Sequence, residues 1–196
     1  MPISNAYRSY FINLEDFAEL VHSVAPARRI LEVGCGDGSL VQRLATVYPE
    51  AEIVGIDISA EPGRLFEGDR SRVSFRSIGT GDLLRQDPPR FDLVVICDVV
   101  HHVPHNERDA LLTEARALLV PGGHLIVKEW EPTRSIAHGL CYFSDTYVSG
   151  ETVSFPTRAE LQAQISALLP DDEIRAEARV PPRRNNFALV VRRSAA

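Results

Sequence analysis

Apolar residues at Leu14, Phe17, Ala18, Val21 and Ala25 recur at three- and four-residue spacing, which predicts a helix over about 14–25 that Pro26 closes. Arg29-Ile30-Leu31-Glu32-Val33 then reads as a short buried strand. A glycine-rich turn, Gly34 to Gly38, leads into a helix over about 39–48, with Pro49 near its end. Glu52 to Asp57 gives a second strand, 60–67 a short polar helix, and Val73 to Arg76 a third strand. The strongest strand signal is the continuous apolar run Phe91 to Ile96, suited to the centre of a parallel sheet. A long amphipathic helix over about 106–119 follows, broken by Pro121-Gly122-Gly123 before a fifth strand from His124 to Lys128. Thr157 caps a helix that runs to about 169, with Glu160 at the third position completing a capping box. Residues 173–180 and 187–191, around a polar turn, pair as a hairpin.

Strands that alternate with helices and end in a hairpin predict an α/β three-layer sandwich. Its sheet is seven-stranded and mostly parallel, with an antiparallel hairpin at one edge. With 196 residues and no internal repeat, one domain is expected over 1–196, with a helical cap over 1–28 and a substrate lid over 129–156. No apolar run has the length of a membrane helix, and the N-terminus lacks the pattern of a secretory signal. Cys35, Cys97 and Cys141 form neither a disulfide framework nor a zinc spacing, so a reducing cytoplasm is the simplest home. The net charge of -6 argues against a nucleic-acid partner, and the basic cluster Arg183, Arg184, Arg192 and Arg193 reads as a solvated turn and chain end.

The glycine turn lies where the first strand meets its following helix, at the carboxyl edge where an open parallel sheet offers a crevice. Glycines there let the backbone turn sharply and approach a ligand. A dinucleotide fingerprint would place its third glycine at Ser39, but here it is Gly38, one residue early. No Lys-Ser or Lys-Thr follows, so the loop is no Walker motif.

The pattern Glu32-x-Gly34-x-Gly36-x-Gly38 resembles motif I of the class I (Rossmann-like) S-adenosylmethionine-dependent methyltransferases. Three further segments match in order: Asp57 ending the second strand, Asp98 in Ile96-Cys97-Asp98-Val99-Val100-His101-His102-Val103, and Pro121-Gly122-Gly123-His124-Leu125. Together they span roughly residues 30–128. The resemblance implies S-adenosylmethionine as cofactor and S-adenosylhomocysteine as product. It sets the loop of Gly34, Cys35, Gly36 and Gly38 against the methionine part, with Glu32 helping to fix the loop, and Asp57 with Ile58 at the ribose. Asp98 and Val99 would flank cofactor and substrate. An ionised carboxylate at Asp57 accepts from two vicinal hydroxyls, although nicotinamide enzymes use the same position. The chain departs from the family after the third strand. Where an adenine-binding acid is common stands Gly79, which leaves adenine to backbone near Ile78–Gly81, including Gly79 and Thr80, or to Asp82 by a loop shift.

Methyl transfer from a sulfonium depends mainly on positioning, and a base is needed only when the acceptor keeps a proton until late, as a hydroxyl does. His101 and His102 are the candidates, with packing or capping the alternative for one of them. His105 extends the group toward a metal reading, but Pro104 interrupts any regular ligand face, and no metal is expected. The segment after the fourth strand lacks the proline-proline-aromatic motif of enzymes that methylate nucleic-acid bases. Substrate selection falls to Tyr7, Tyr10 and Phe11, to Trp130, Tyr142 and Tyr147, and to Lys128 beside Glu129; for the aromatics, ordinary packing is the competing explanation. The reading is a methyltransferase for a small-molecule acceptor, at oxygen, with no nucleic-acid or membrane partner, as monomer or homodimer. A non-catalytic cofactor-binding partner or regulatory subunit of the same fold is the alternative, and a nicotinamide oxidoreductase is disfavoured by the misplaced glycine.

Overall fold

The computed structural model describes residues 13–131, 154–181 and 186–195. Helix α1 (Leu14–Val24) starts at Asn13, whose side chain accepts from the backbone N–H groups of Glu15 and Asp16, two of the donors a helix start leaves unpaired. There follow β1 (Arg29–Val33), α2 (Ser39–Val47), β2 (Glu52–Asp57), β3 (Val73–Ser77), α3 (Thr80–Arg85) and β4 (Phe91–Cys97). Short 3-10 turns at Val100–His102 and His105–Glu107 lead into α4 (Arg108–Ala117), β5 (Leu119–Trp130), α5 (Arg158–Leu168), β6 (Glu173–Arg179) and β7 (Asn186–Arg192). Among the described residues seven strands form one sheet, in the order β3-β2-β1-β4-β5-β7-β6. Strands β1 to β5 pair in parallel, and β7 lies antiparallel between β5 and β6.

Both faces of the sheet are covered, which explains the continuous apolar runs of β4 and β5. Ile30, Val95 and Ile126 pack under α1 and α2, while Leu31, Val94 and Leu125 pack with Leu112 of α4 and Leu161 and Ile165 of α5. Thr157 and Glu160 form the expected capping box, the threonine hydroxyl accepting from Glu160 N–H and the carboxylate from Thr157 N–H. At the far end of α4, Arg116 donates two bonds to Asp172, at 2.6 and 2.8 Å, and Ser194 N–H donates a third at 2.9 Å. No helix of the described residues is long and apolar enough to cross a membrane.

The structure corrects three expectations. Residues 60–67 form turns and no helix. The N–H groups of Gly63 and Leu65 donate to the carbonyls of Gly36 and Asp37, so this backbone is spent on the glycine loop. Pro121-Gly122-Gly123 does not precede β5 but lies inside it: the strand starts at Leu119 and absorbs the motif as a register shift opposite Phe91 and Leu93, with Gly122 at φ +79. The helix expected over 106–119 spans only Arg108–Ala117, behind the 3-10 turn. Helix α3 was not expected, because its TGDLLR sequence is too short and polar to show a period.

Candidate active site

The order of the sheet reverses between β1 and β4, so a crevice opens at their carboxyl ends. Its floor on the β1 side is the glycine loop. Gly34 and Cys35 donate their N–H groups to the Ile56 carbonyl of β2, at 2.8 and 3.0 Å, and Gly38 begins α2. Gly34, Gly36 and Gly38 have φ of +71, +50 and +86, a region that other residues enter only with strain. Their surroundings differ. A Cβ on Gly34 would lie 2.3 Å from Val99 Cγ2, whereas a Cβ on Gly36 would meet nothing within 4 Å. Gly34 therefore admits the chain after β4, and Gly36 faces open space.

Asp57 ends β2 with one carboxylate oxygen accepting from Gly36 N–H and the other from Ser59 N–H, each at 2.8 Å. Ile58 beside it is 88% exposed, rare for a large apolar side chain. Gly79 starts α3, and a Cβ there would also meet nothing within 4 Å. Thr80 is buried and donates its hydroxyl to Glu114, and Asp82 pairs with Arg85. Glu32 is buried beneath the loop. The Cys35 thiol is pushed up by burial and by the nearby Glu32 and Asp57 carboxylates, so it stays protonated.

The opposite side of the crevice is built from charged side chains. Asp98 follows β4 at φ +56, in the left-handed region. Lys128 of β5, fully buried, donates to both of its carboxylate oxygens at 2.7 Å, and Asp98 N–H donates to the Lys128 carbonyl. The next residue, Glu129, is also fully buried. It accepts from Val100 N–H at 2.7 Å and lies 2.7 Å from Nδ1 of His101. Burial alone would raise the Glu129 carboxyl, but His101, the Lys128 charge and the Val100 N–H hold it below the usual carboxylate range.

His101, only 4% exposed, stacks on Phe155 with centroids 4.4 Å apart, and its other neighbour, His102, is exposed. The His101 carbonyl accepts from Ser154 N–H, and the buried Arg108 donates to the carbonyls of Val103 and Ser154. Ligand atoms of Asp98, His101 and Glu129 lie within 4.8 Å of one another, a spacing a cation can use; the Lys128 ammonium already supplies a positive charge there.

The structure thus brings Gly34, Gly36, Asp57, Asp98, Val99 and His101 to one end of the sheet. Lys128, expected to meet substrate, is instead sealed beneath Asp98, and Trp130 is buried beside it, its ring 5.8 Å from the ammonium. Tyr7, Tyr10, Phe11, Tyr142 and Tyr147 lie outside the described residues, as do Arg183 and Arg184. Sequence reasoning missed Arg108, named Phe155 only as the end of the expected lid stretch, and gave Glu129 only a place beside Lys128 facing the pocket. One signal was present: two charged residues ending an apolar strand need partners if they are buried. A separate groove of about 550 Å³, lined by His22, Tyr48 and Asp92 among others, lies at the opposite edge, where the strands begin. There Asp92 is engaged by the N–H groups of Arg28 and Arg29.

A protein-family profile described as a methyltransferase domain matches residues 31–125. The chain is 40% identical over 103 residues to a ubiquinone biosynthesis O-methyltransferase of Alkalilimnicola ehrlichii, covering 50% of this chain and 40% of that protein. It is 35% identical over 127 residues to a trans-aconitate 2-methyltransferase of Methylobacterium nodulans, covering 64% of this chain and 46% of that one. The chain thus matches less than half the length of either relative. Its fold is shared with the 1,6-didemethyltoxoflavin-N1-methyltransferase of Burkholderia thailandensis, solved with its substrate and S-adenosylhomocysteine, at a TM-score of 0.67 and 18% identity over 97% of this chain and 85% of that one.

Proposed function

The chain belongs to the class I, Rossmann-like S-adenosylmethionine-dependent methyltransferases, and from that premise we propose that it transfers a methyl group from S-adenosylmethionine to a small-molecule acceptor, at oxygen. The observation that carries the reading is the open, left-handed Gly36 hydrogen-bonded to Asp57, set across the crevice from Asp98 and His101. The cofactor fits what is present. Gly36 and Gly79 leave a cradle that any side chain would fill. Asp57 has used one acceptor position on each oxygen and keeps others for the ribose hydroxyls. Ile58 offers an apolar surface beside it, and the backbone at Gly79 and Thr80 serves the adenine end in place of an acid.

S-adenosylmethionine, when bound, supplies a methyl carbon already activated by its sulfonium. The protein's part is to hold the acceptor oxygen in line, keep water out and take the acceptor proton. Asp98 and Val99, packed on Gly34, set the boundary between the cofactor and acceptor halves. His101 and His102 stand where the proton is released. Relatives named for ubiquinone biosynthesis and for trans-aconitate support a small acceptor, and the first supports oxygen. A cytoplasmic monomer or homodimer completes the reading.

Calorimetric titration with S-adenosylmethionine, S-adenosylhomocysteine and NAD tests it. The first two bind, NAD does not, and Asp57→Ala weakens binding about ten- to a hundredfold through lost hydrogen bonds to a charged acceptor. Binding of NAD alone would overturn the cofactor. Binding without turnover on any acceptor would favour a non-catalytic partner of the same fold.

A further inference from the structure

Arg192, which the sequence places in a solvated chain end, lines a cleft instead. The cleft holds about 320 Å³ and lies where the strands begin, away from the crevice. Small-molecule pockets span about 300–1,000 Å³, so it is at the lower end of their range. Val24, Pro26 and Val190 give it apolar walls, and three strands each bring one basic side chain: His124 of β5, Arg175 of β6 and Arg192 of β7. Register makes them meet. His124 and Arg192 are direct antiparallel partners and share a face, and Arg175 is the extra residue of a bulge between Ile174 and Ala176. Like charges directly opposite cost stability, and here the histidine gives way: burial first, then Arg192 and Arg175, push its imidazole below its ordinary value. Acids answer only part of the charge. Glu173 pairs with Arg175 at 2.8 Å, Asp92 of β4 is taken by the N–H groups of Arg28 and Arg29, and His22 of α1 packs edge-on against Tyr48. Among the described residues Arg192 makes no ion pair, and its bond to the Gly122 carbonyl is a long 3.5 Å.

We propose that this cleft binds a small phosphate monoester, its dianion held by Arg192, Arg175 and His124 and its organic part lying against Val24, Pro26 and Val190. A planar carboxylate is satisfied by one guanidinium fork, whereas donors arriving from three strands suit the three free oxygens of a phosphate. A bound dianion also removes the cause that keeps His124 neutral, so binding takes up a proton. The two events are linked: an anion that raises the His124 midpoint binds more tightly, by the same factor, below the titration than above it. The cleft and the methyl-transfer crevice lie at opposite edges of the sheet, and neither assignment depends on the other.

The test is proton NMR of the His124 imidazole in the full chain, assigned with His124→Asn and followed against pH in sodium sulfate and in sodium chloride of equal ionic strength. Sulfate is a tetrahedral dianion whose charge stays constant while a histidine titrates. It raises the midpoint by about one unit over chloride, and so binds about tenfold more tightly below the titration than above it. In Arg192→Gln the midpoint starts higher, because a neighbouring cation is gone, and sulfate no longer moves it. Phenyl phosphate binds about tenfold more tightly than inorganic phosphate, since its ring reaches the apolar walls. Equal midpoints in the two salts mean that ionic screening alone acts on His124, and they overturn the proposal without need of a variant. So does a sulfate shift that survives Arg192→Gln, or a phenyl phosphate that binds no more tightly than the inorganic ion.

Discussion

The two sides of the crevice are made by different means. On the β1–β2 side the work is done by backbone: three left-handed glycines, N–H groups shared with Ile56, and one carboxylate at Asp57. On the β4–β5 side it is done by side chains that reach across the sheet, Asp98 to Lys128 and His101 to Glu129. A backbone cradle suits a ligand that never changes, since it depends on the absence of side chains. A cradle of paired charges can be retuned one residue at a time, and it brings proton chemistry that glycine cannot. The contrast agrees with the proposed reading, in which one side meets the cofactor and the other the acceptor.

The comparison can be broken most directly at Lys128. Replacing it with methionine leaves the Asp98 carboxylate facing a buried apolar chain, and urea unfolding should show a loss of about 3 kcal/mol, the lower end for such a pair because Asp98 is partly exposed. Adding Asp98→Asn should restore much of that loss; if it does not, the charge pair is not what holds this side. On the glycine side, Gly34→Ala should cost about 2 kcal/mol, from left-handed strain and the clash with Val99, and Val99→Ala should recover the clash part alone. Gly36→Ala sharpens the contrast: with open space around it, it loses only about 1 kcal/mol of strain, yet its S-adenosylhomocysteine affinity should fall far more than its stability.

The smallest effect lies away from both sides. Burial opposes the Asp172 carboxyl, but Arg116 and Ser194 hold it below its ordinary 3.8. Its contribution is therefore complete above about 3.8 and is lost as pH falls through the lower folded value. Asp172→Asn should flatten the acid limb of an unfolding curve by about 1 kcal/mol and leave cofactor affinity alone.

The difference between the two sides also explains what the sequence made legible. Strands β1 and β2 match their expected bounds residue for residue, because apolar runs and glycines are local signals. The glycine loop and Asp57 could be placed for the same reason. The Glu129–His101 and Lys128–Asp98 pairs join residues 28 and 30 positions apart, and no periodicity reports a partner at such range. The turns at 60–67 also carry a local signal, since Pro62-Gly63 disfavours a helix, while the donation of the Gly63 and Leu65 N–H groups to the loop is a tertiary contact that no local pattern reports.

Ser154 N–H donates to the His101 carbonyl and the Phe155 ring stacks on the His101 imidazole, while Arg108 at the start of α4 donates to the carbonyls of Val103 and Ser154. The chain entering α5, the start of α4 and the turn after β4 are thus stitched at one place. Slack in any one of the three is felt by the other two, while the glycine loop keeps its own bonds to Ile56.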